Sequence, residues 1–443
     1  PPAARPIAGV GTSTAGFIGV VEKDIIDYPK RIHEQLGKGD GAKQEFDLSS
    51  YPVETDKKTF RITVKGVAAD GELENVEGTK KAKVKFAQPP EKEARIEANY
   101  VWSKAGEFKL QVAPNELRLV TNFTEFTKLF GDFSTDRSQR RLAHAVYGFF
   151  GNGGRRCYVA RMASEAGIGR ALDAFATLDE IAIVAVPGLT SEKTQEAVID
   201  HCESLRDRFG VLDGAELDIA DPEYTKQKIQ EDTKDSSYSA IYFPWIKVAD
   251  DLNSDGRIAV PPSGHVAGVY AQVDADRGVH KAPGNIVIRG ALDVRHRLTR
   301  AHQDGLNPGG VNVVRAFNGN VRIWGARTMG GDANGEFKYI STRRYFNFLR
   351  ESIEESTQWV VFEPNSRALW QRIIRSVSDF LLGQWREGAL FGDTPKQAFF
   401  VKCDEETNPP DVRERGQVIT LVGVAIVKPA EFVVFRLEQM TGG

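Results

Sequence analysis

Two serines and a few histidines are the residues of this 443-residue chain whose types and spacing could support nucleophilic or metal chemistry. Ser13 stands among small residues in Gly11-Thr12-Ser13-Thr14-Ala15, surroundings that expose a hydrolase nucleophile. Hydrolases with such a segment order their triad Asp, His, Ser along the chain, whereas Ser13 precedes every histidine. A small-residue segment packed closely on a neighbour accounts for it better. Ser263 and His265 bring hydroxyl and imidazole close in sequence, but Ser263 opens an amphipathic run and reads as a helix N-cap. His296 and His302 lie six apart, a poor helical spacing for one metal, and Cys157, Cys202 and Cys403 are scattered without ligand spacing. Gly148 to Gly154 lacks the Lys-Ser/Thr of a phosphate loop and reads as a helix stop. Asn122-Phe123-Thr124 matches a glycosylation sequon, which reads as accidental without a signal peptide. The expectation is no catalytic residue, no cofactor and no metal. A serine hydrolase using Ser13 or Ser263 is the alternative from the enzyme class.

The bulk properties point the same way. A net charge of −3 gives no case for a nucleic-acid partner or a polybasic membrane surface. The 41% hydrophobic and 27% charged content is that of a globular chain of two or three domains. No apolar run approaches the roughly 20 residues of a membrane span, and no signal peptide is visible. An odd number of dispersed cysteines fits a reducing compartment.

The elements read as follows. Residues 1–22 form an N-terminal arm and a first strand, Ala15 to Val21. Residues 24–114 lose helical periodicity and show short alternating runs at Thr59–Val64, Ala82–Phe86, Arg95–Trp102 and Phe108–Val112, the pattern of a small β-sandwich or barrel. Residues 115–320 alternate helices with apolar strands. Asn122 with Glu125 caps a short helix, and the uninterrupted run Ile181–Val186 implies a sheet covered on both faces. In residues 321–428 the spacing predicts a helix around Tyr345, Phe348, Leu349 and Ile353. It then predicts a strand over 358–362, a helix capped by Asn365, and strands at 397–402 and 418–427. Residues 429–443 end the chain on Glu431-Phe432-Val433-Val434-Phe435-Arg436, a run of high β-propensity behind Pro429. The fold class is α/β, mixed α+β: a core with a covered sheet, an inserted all-β domain and extended terminal arms.

An ordered set of segments then resembles the contractile tail sheath proteins of phages and phage-tail-like injection systems. These are Arg5–Phe17, His144-Ala145-Val146 through Gly154, Ala240–Trp245 and Pro261–Gly268. Downstream lie Leu306-Asn307-Pro308, Trp324–Thr328, Glu351-Ser352-Ile353, Trp359–Asn365, Gly388-Ala389-Leu390, Ala398–Asp404 and Lys428–Phe432. The set departs from the family at both ends of the first strand. A further strand usually precedes Arg5-Pro6-Ile7, and compact members have only a short connection where this chain carries residues 24–114, so that block reads as an outward-facing insertion at a loop tip.

The resemblance implies a structural subunit that polymerises helically, in hexameric rings, around an inner tube protein and contracts to drive the tube through a target envelope. A non-contractile shell protein is the remaining alternative. Implied partners are further copies of itself, the inner tube, baseplate and terminal cap proteins and, as an option, sister sheath proteins; nucleic acid and membrane insertion are not expected. Assembly would occur in the bacterial cytoplasm, with action in a phage tail or a released particle. The last strand, Glu431 to Arg436, is the candidate arm donated to another copy, with membership of its own sheet as the competing reading. Phe399, Val401, Val418, Thr420 and Val422 mark the candidate acceptor strands, and Ile7, Gly9, Val10 and Gly11 a second, N-terminal tether. Arg367, Arg372 and Arg375 are candidate tube-facing side chains, against the alternative of a solvated helical face.

Overall fold

Alternation of apolar residues with two different covers explains the largest unit. The computed structural model describes residues 6–218, 223–230 and 233–431. An eight-stranded sheet runs in the order Asn320–Ile323, Val311–Phe317, Ser239–Phe243, Phe209–Asp213, Ile183–Ala185, Ala15–Val20, Cys157–Met162, Arg118–Val120. Its inner strands are parallel and its two outer pairings antiparallel. Successive residues on a strand face opposite sides. Phe17, Val159, Ile183, Val211 and Tyr242 enter one core, with the helices Arg137–Gly151 and Ser263–Arg277. Ile18, Ala160, Val184, Leu212 and Ile241 enter the other, under Ile168–Ala176 and Glu192–Leu205. Both faces are dry, which is why the strands read as continuous apolar runs.

The helices Arg137–Gly151 and Ser263–Arg277 approach too closely for side chains at the crossing. A Cβ on Gly264 would lie 2.4 Å from the Ala145 Cα, and one on Gly148 would lie 2.3 Å from the His265 ring. These glycines serve backbone approach.

Residues 21–117 leave this sheet and return to it. The strands before and after the block, Ala15–Val20 and Arg118–Val120, both pair with Cys157–Met162, one on each side, and do not pair with each other. Within the block, a long hairpin pairs Ile25–Lys38 with Arg95–Lys109. The segment 25–38 carries no strand signal in its residue pattern, and Arg95–Trp102 and Phe108–Val112 are joined in one strand as far as Lys109. A four-stranded and a three-stranded sheet face each other across one cluster containing Phe46, Ile62, Leu73, Val84, Phe86, Ile96 and Tyr100. The root of the hairpin differs: Ile26, Leu110 and Val112 are buried in the core of the large sheet.

The C-terminal residues build a separate cluster on the helices Ile340–Ser356 and Arg367–Arg386, with Tyr345, Leu349, Leu369, Trp370, Ile373, Val377 and Leu381 buried. Three expectations are corrected here. Residues 358–362 are not a strand: Gln358–Val360 is a 3-10 turn, Val361 and Phe362 are exposed, and Phe362 has φ 65°. Ser366, not Asn365, caps the second helix, its hydroxyl accepting from Leu369 N–H at 3.4 Å. Asn365 instead accepts from Trp370 Nε1 at 2.8 Å and donates to Gln417 O. Of 418–427 only Leu421–Val424 is a strand. The helix N-cap at Asn122 is as expected, accepting from Glu125 N–H at 2.9 Å.

Candidate functional site

The candidate acceptor is a two-stranded sheet. Phe399–Lys402 pairs antiparallel with Leu421–Val424, Val401 opposite Val422. Ala425 N–H donates to Ala398 O at 2.8 Å and Ala425 O accepts from Phe391 N–H at 2.7 Å, so Ala425 points its backbone groups toward its partners. Backbone direction alternates along a strand, so Val422 and Val424 point theirs away, as does Val401 on the other strand. Both edges are unpaired among the described residues. Phe400, Leu421 and Val422 are exposed on this sheet. A lone two-stranded ribbon is marginal in water, and bare edges invite a further strand. Phe399, Val401 and Val422 are therefore in the sheet, while Val418 and Thr420 precede it. The neighbour of both, Ile419, is held by Asn408, which accepts from its N–H at 2.6 Å and donates to its carbonyl at 3.0 Å.

Phe432, Val433, Val434, Phe435 and Arg436 lie outside the described residues. Glu431, which propensity groups with them, is anchored inside its own chain. Its carboxylate accepts from Arg327 Nε at 2.8 Å and Nη2 at 2.9 Å, from Asn307 Nδ2 at 2.8 Å and from Tyr339 Oη at 3.0 Å. Burial alone would raise its pKa; Arg327, Asn307 and Tyr339 outweigh that and hold it below the usual carboxylate value. Asn307 and Arg327 lie in segments that carry the family resemblance; Tyr339 lies outside them. Nothing in sequence spacing links a Glu at 431 to an Arg 104 residues earlier.

The N-terminal candidates Ile7, Gly9, Val10 and Gly11 run along their own chain. Ile7 packs on the C-terminal cluster. Val10 N–H donates to Ser352 Oγ at 3.1 Å and Ala8 N–H to Ser356 Oγ at 3.3 Å, so these residues follow the helix Ile340–Ser356 of their own chain. Gly9 lies under Phe348, where a Cβ would come within 2.9 Å of the ring. Thr12 closes the run: its hydroxyl donates to Asp274 Oδ2 at 2.7 Å and its carbonyl accepts from Arg344 Nη2 at 2.9 Å. Arg344 and Asp274 form a buried two-point ion pair, 2.8 and 2.6 Å, joining this helix to Ser263–Arg277. Gly11, Thr12, Arg344 and Glu351 line one small cavity with Asp207.

Two of the three arginines expected to face a tube are engaged within the chain. Arg367 pairs with Glu405. Arg372 pairs with Glu363 at 2.7 Å and lies 5.0 Å over the Trp359 ring. Arg375 is exposed.

The residues that suggested enzyme chemistry are placed apart. Ser13 lies in the segment leading into Ala15–Val20, with no histidine hydrogen-bonded to it among the described residues. Ser263 is the first residue of its helix rather than the N-cap, which is Pro262. Its hydroxyl donates to Asp213 Oδ2 at 2.6 Å, and Asp213 also accepts from the N–H of Ser263 and of Gly188. Burial pushes the Asp213 carboxyl up to about 6 despite those bonds. The group ties a strand end to a helix start. The His265 ring packs on Gly148, and burial with the nearby His144 charge lowers its pKa to about 3. His296 Nε2 meets Leu217 O at 3.0 Å, whereas His302 accepts from Thr299 N–H in a capping box.

Comparison with known proteins fits this arrangement. Residues 163–329 match the family model of the phage tail sheath protein central domain, and residues 332–440 that of the phage tail sheath C-terminal domain. The tail sheath protein of Vibrio phage KVP40 is 28% identical over 189 residues, 42% of this chain and 27% of that protein. A putative prophage major tail sheath protein of Pseudomonas aeruginosa strain UCBPP-PA14 is 21% identical over 264 residues, 58% of this chain and 64% of that protein. The matches thus span less than two thirds of these relatives. Among solved structures, the PVC sheath complex of an extracellular contractile injection system, in the contracted state, aligns with TM-score 0.65 and 29% identity over 74% of this chain and 88% of that one. A chain of the anti-feeding prophage baseplate, 6-fold symmetrised, aligns with TM-score 0.64 and 29% identity over 75% of this chain and 92% of that one. With the matched models together spanning more than half of its residues, the chain belongs to the phage tail sheath family.

Proposed function

We propose that this protein is the repeating subunit of a contractile sheath, polymerising helically around an inner tube and contracting to drive that tube through a target envelope. The observation that carries the reading is the 29% identical likeness to a sheath complex solved in its contracted state, covering 88% of that chain. The physics asks for head-to-tail contacts with a screw component, which build open tubes rather than closed rings alone. It also asks for joints that survive a large rotation of the bodies. Strand addition meets that demand, because main-chain hydrogen bonds persist while the bodies on either side turn. The bare edges at Val401 and Val422 support their role as acceptors, and Phe432 to Arg436 as the strand donated by another copy. The assembled extended state is then a kinetic trap above a contracted state, so release at one end propagates without nucleotide. The inner tube and the baseplate are the partners this reading requires. Arg367, Arg372 and Arg375 are the tube-facing candidates of this reading, the first two through surface pairs weak enough to exchange.

Removing residues 432–443 tests the joint. The truncated chain is expected to fold and unfold cooperatively as a monomer yet form no tubes by electron microscopy. Tubes of normal length from that truncation would remove strand donation from the account. A tube of one fixed diameter under every trigger would instead favour a non-contractile shell.

A further inference from the structure

We infer that the Arg327–Glu431 pair is a root clamp that fixes where the C-terminal strand leaves the body and so aims it at a second copy of this chain. The inference rests on the strand-donation reading above. Glu431 takes four hydrogen bonds from three side chains, and the Arg327 fork meets it at two points, the geometry that sets direction as well as attraction. Arg327 is itself immobilised. Its N–H donates to Asn312 Oδ1 at 2.8 Å, its carbonyl accepts from Asn312 Nδ2 at 2.7 Å, and its Nη1 donates to Asn307 O and Asp332 Oδ1, each at 3.1 Å. Asn312 is fully buried on the strand Val311–Phe317 of the large sheet. The clamp therefore refers the arm's origin to that sheet, whereas the acceptor edges belong to the C-terminal unit.

The segment between the two is short. Val427 N–H donates to Ala389 O at 3.2 Å, and Lys428, Pro429 and Ala430 bridge from there to Glu431. In sequence the run Phe432 to Arg436, the donor on the strand-donation reading, begins at the residue after Glu431. Pinning both sides of this short bridge removes conformational freedom before docking, and freedom already lost is not lost again when the strand pairs. Releasing the root lengthens the tether and spreads the arm over more positions, which lowers its effective concentration at the neighbour's edge.

The test uses the full chain and three variants. Glu431→Gln keeps volume and loses the charge. A Gly-Ser-Gly insertion between Glu431 and Phe432 leaves the clamp intact and adds slack. Removal of 432–443 eliminates the arm. Both the substitution and the insertion are expected to raise the critical concentration for tube assembly about tenfold or more; the insertion leaves the monomer's unfolding temperature unchanged, whereas the substitution lowers it because Arg327 loses a buried partner. A merely structural role for Glu431 would leave the insertion without effect. If removal of 432–443 blocks assembly while both other variants assemble at the parent concentration, the clamp is refuted and strand donation stands. If the truncated chain assembles normally, strand donation fails and the clamp with it. Should Glu431→Gln fail to fold, the insertion alone decides.

Discussion

At the residue scale, the buried polar groups of this protein act as fasteners. Asp213, Arg344 and Glu431 each gather donors or acceptors from distant segments, as buried charges must. Glu351 is the exception, since among the described residues no charge-neutralising bond compensates its partial burial. Burial, with the Asp207 charge and only partly offset by Arg208, raises its carboxyl to about 8 from 4.5. The folded chain therefore holds that proton across a window in which the unfolded chain has released it. Stability from this group is present below pH 4.5 and falls as pH rises toward about 8. Glu351→Gln is expected to flatten the fall of the unfolding midpoint with pH across that window. A parallel shift of the whole curve would contradict the assignment.

At the element scale, the helix Ile340–Ser356 is the joint between the large sheet and the C-terminal unit. It buries Tyr345 and Leu349 in the C-terminal cluster, and Arg344 reaches Asp274 on the helix Ser263–Arg277. Both partners are at most 5% exposed, so removing one leaves an uncompensated buried charge. Arg344→Met is expected to cost about 3–5 kcal/mol in urea unfolding, and Arg344→Met with Asp274→Leu to recover much of it. Long-range partners also explain why the segment 6–14 reads as a free tether from its residues alone. Its composition is that of an exposed arm, but Ser352, Ser356 and Asp274 supply partners that lie more than 260 residues away in sequence.

At the scale of the whole molecule, the all-β block is carried on a two-stranded stalk. Lys30 pairs with Trp102 across the hairpin, and the cluster around Phe46 and Tyr100 lies beyond that pair. Replacing residues 31–101 by an Asn-Gly turn should leave the large sheet folded, because the turn closes a pair already in register. Cutting at 24 and 114 should not, because Ile26, Leu110 and Val112 leave the main core, each about 2–5 kcal/mol in a buried position. Circular dichroism and urea midpoints of the two deletions distinguish these outcomes. We propose that the block faces outward in the sheath, where its removal would leave tube assembly intact.

The sequence by itself determined the covered sheet, the principal helices and the family, because apolar periodicity and short ordered segments are local signals. It misleads at 358–362, where high β-propensity sits in a chain that turns on Phe362. It is silent at 25–38, whose polar residues become a strand only by pairing with 95–109. Folding alone brings Glu431 to Arg327, Asn307 and Tyr339 and lays residues 7–10 along their own helix. Both depend on partners brought together by folding, and propensity carries no information about a hydrogen bond formed a hundred or more residues away.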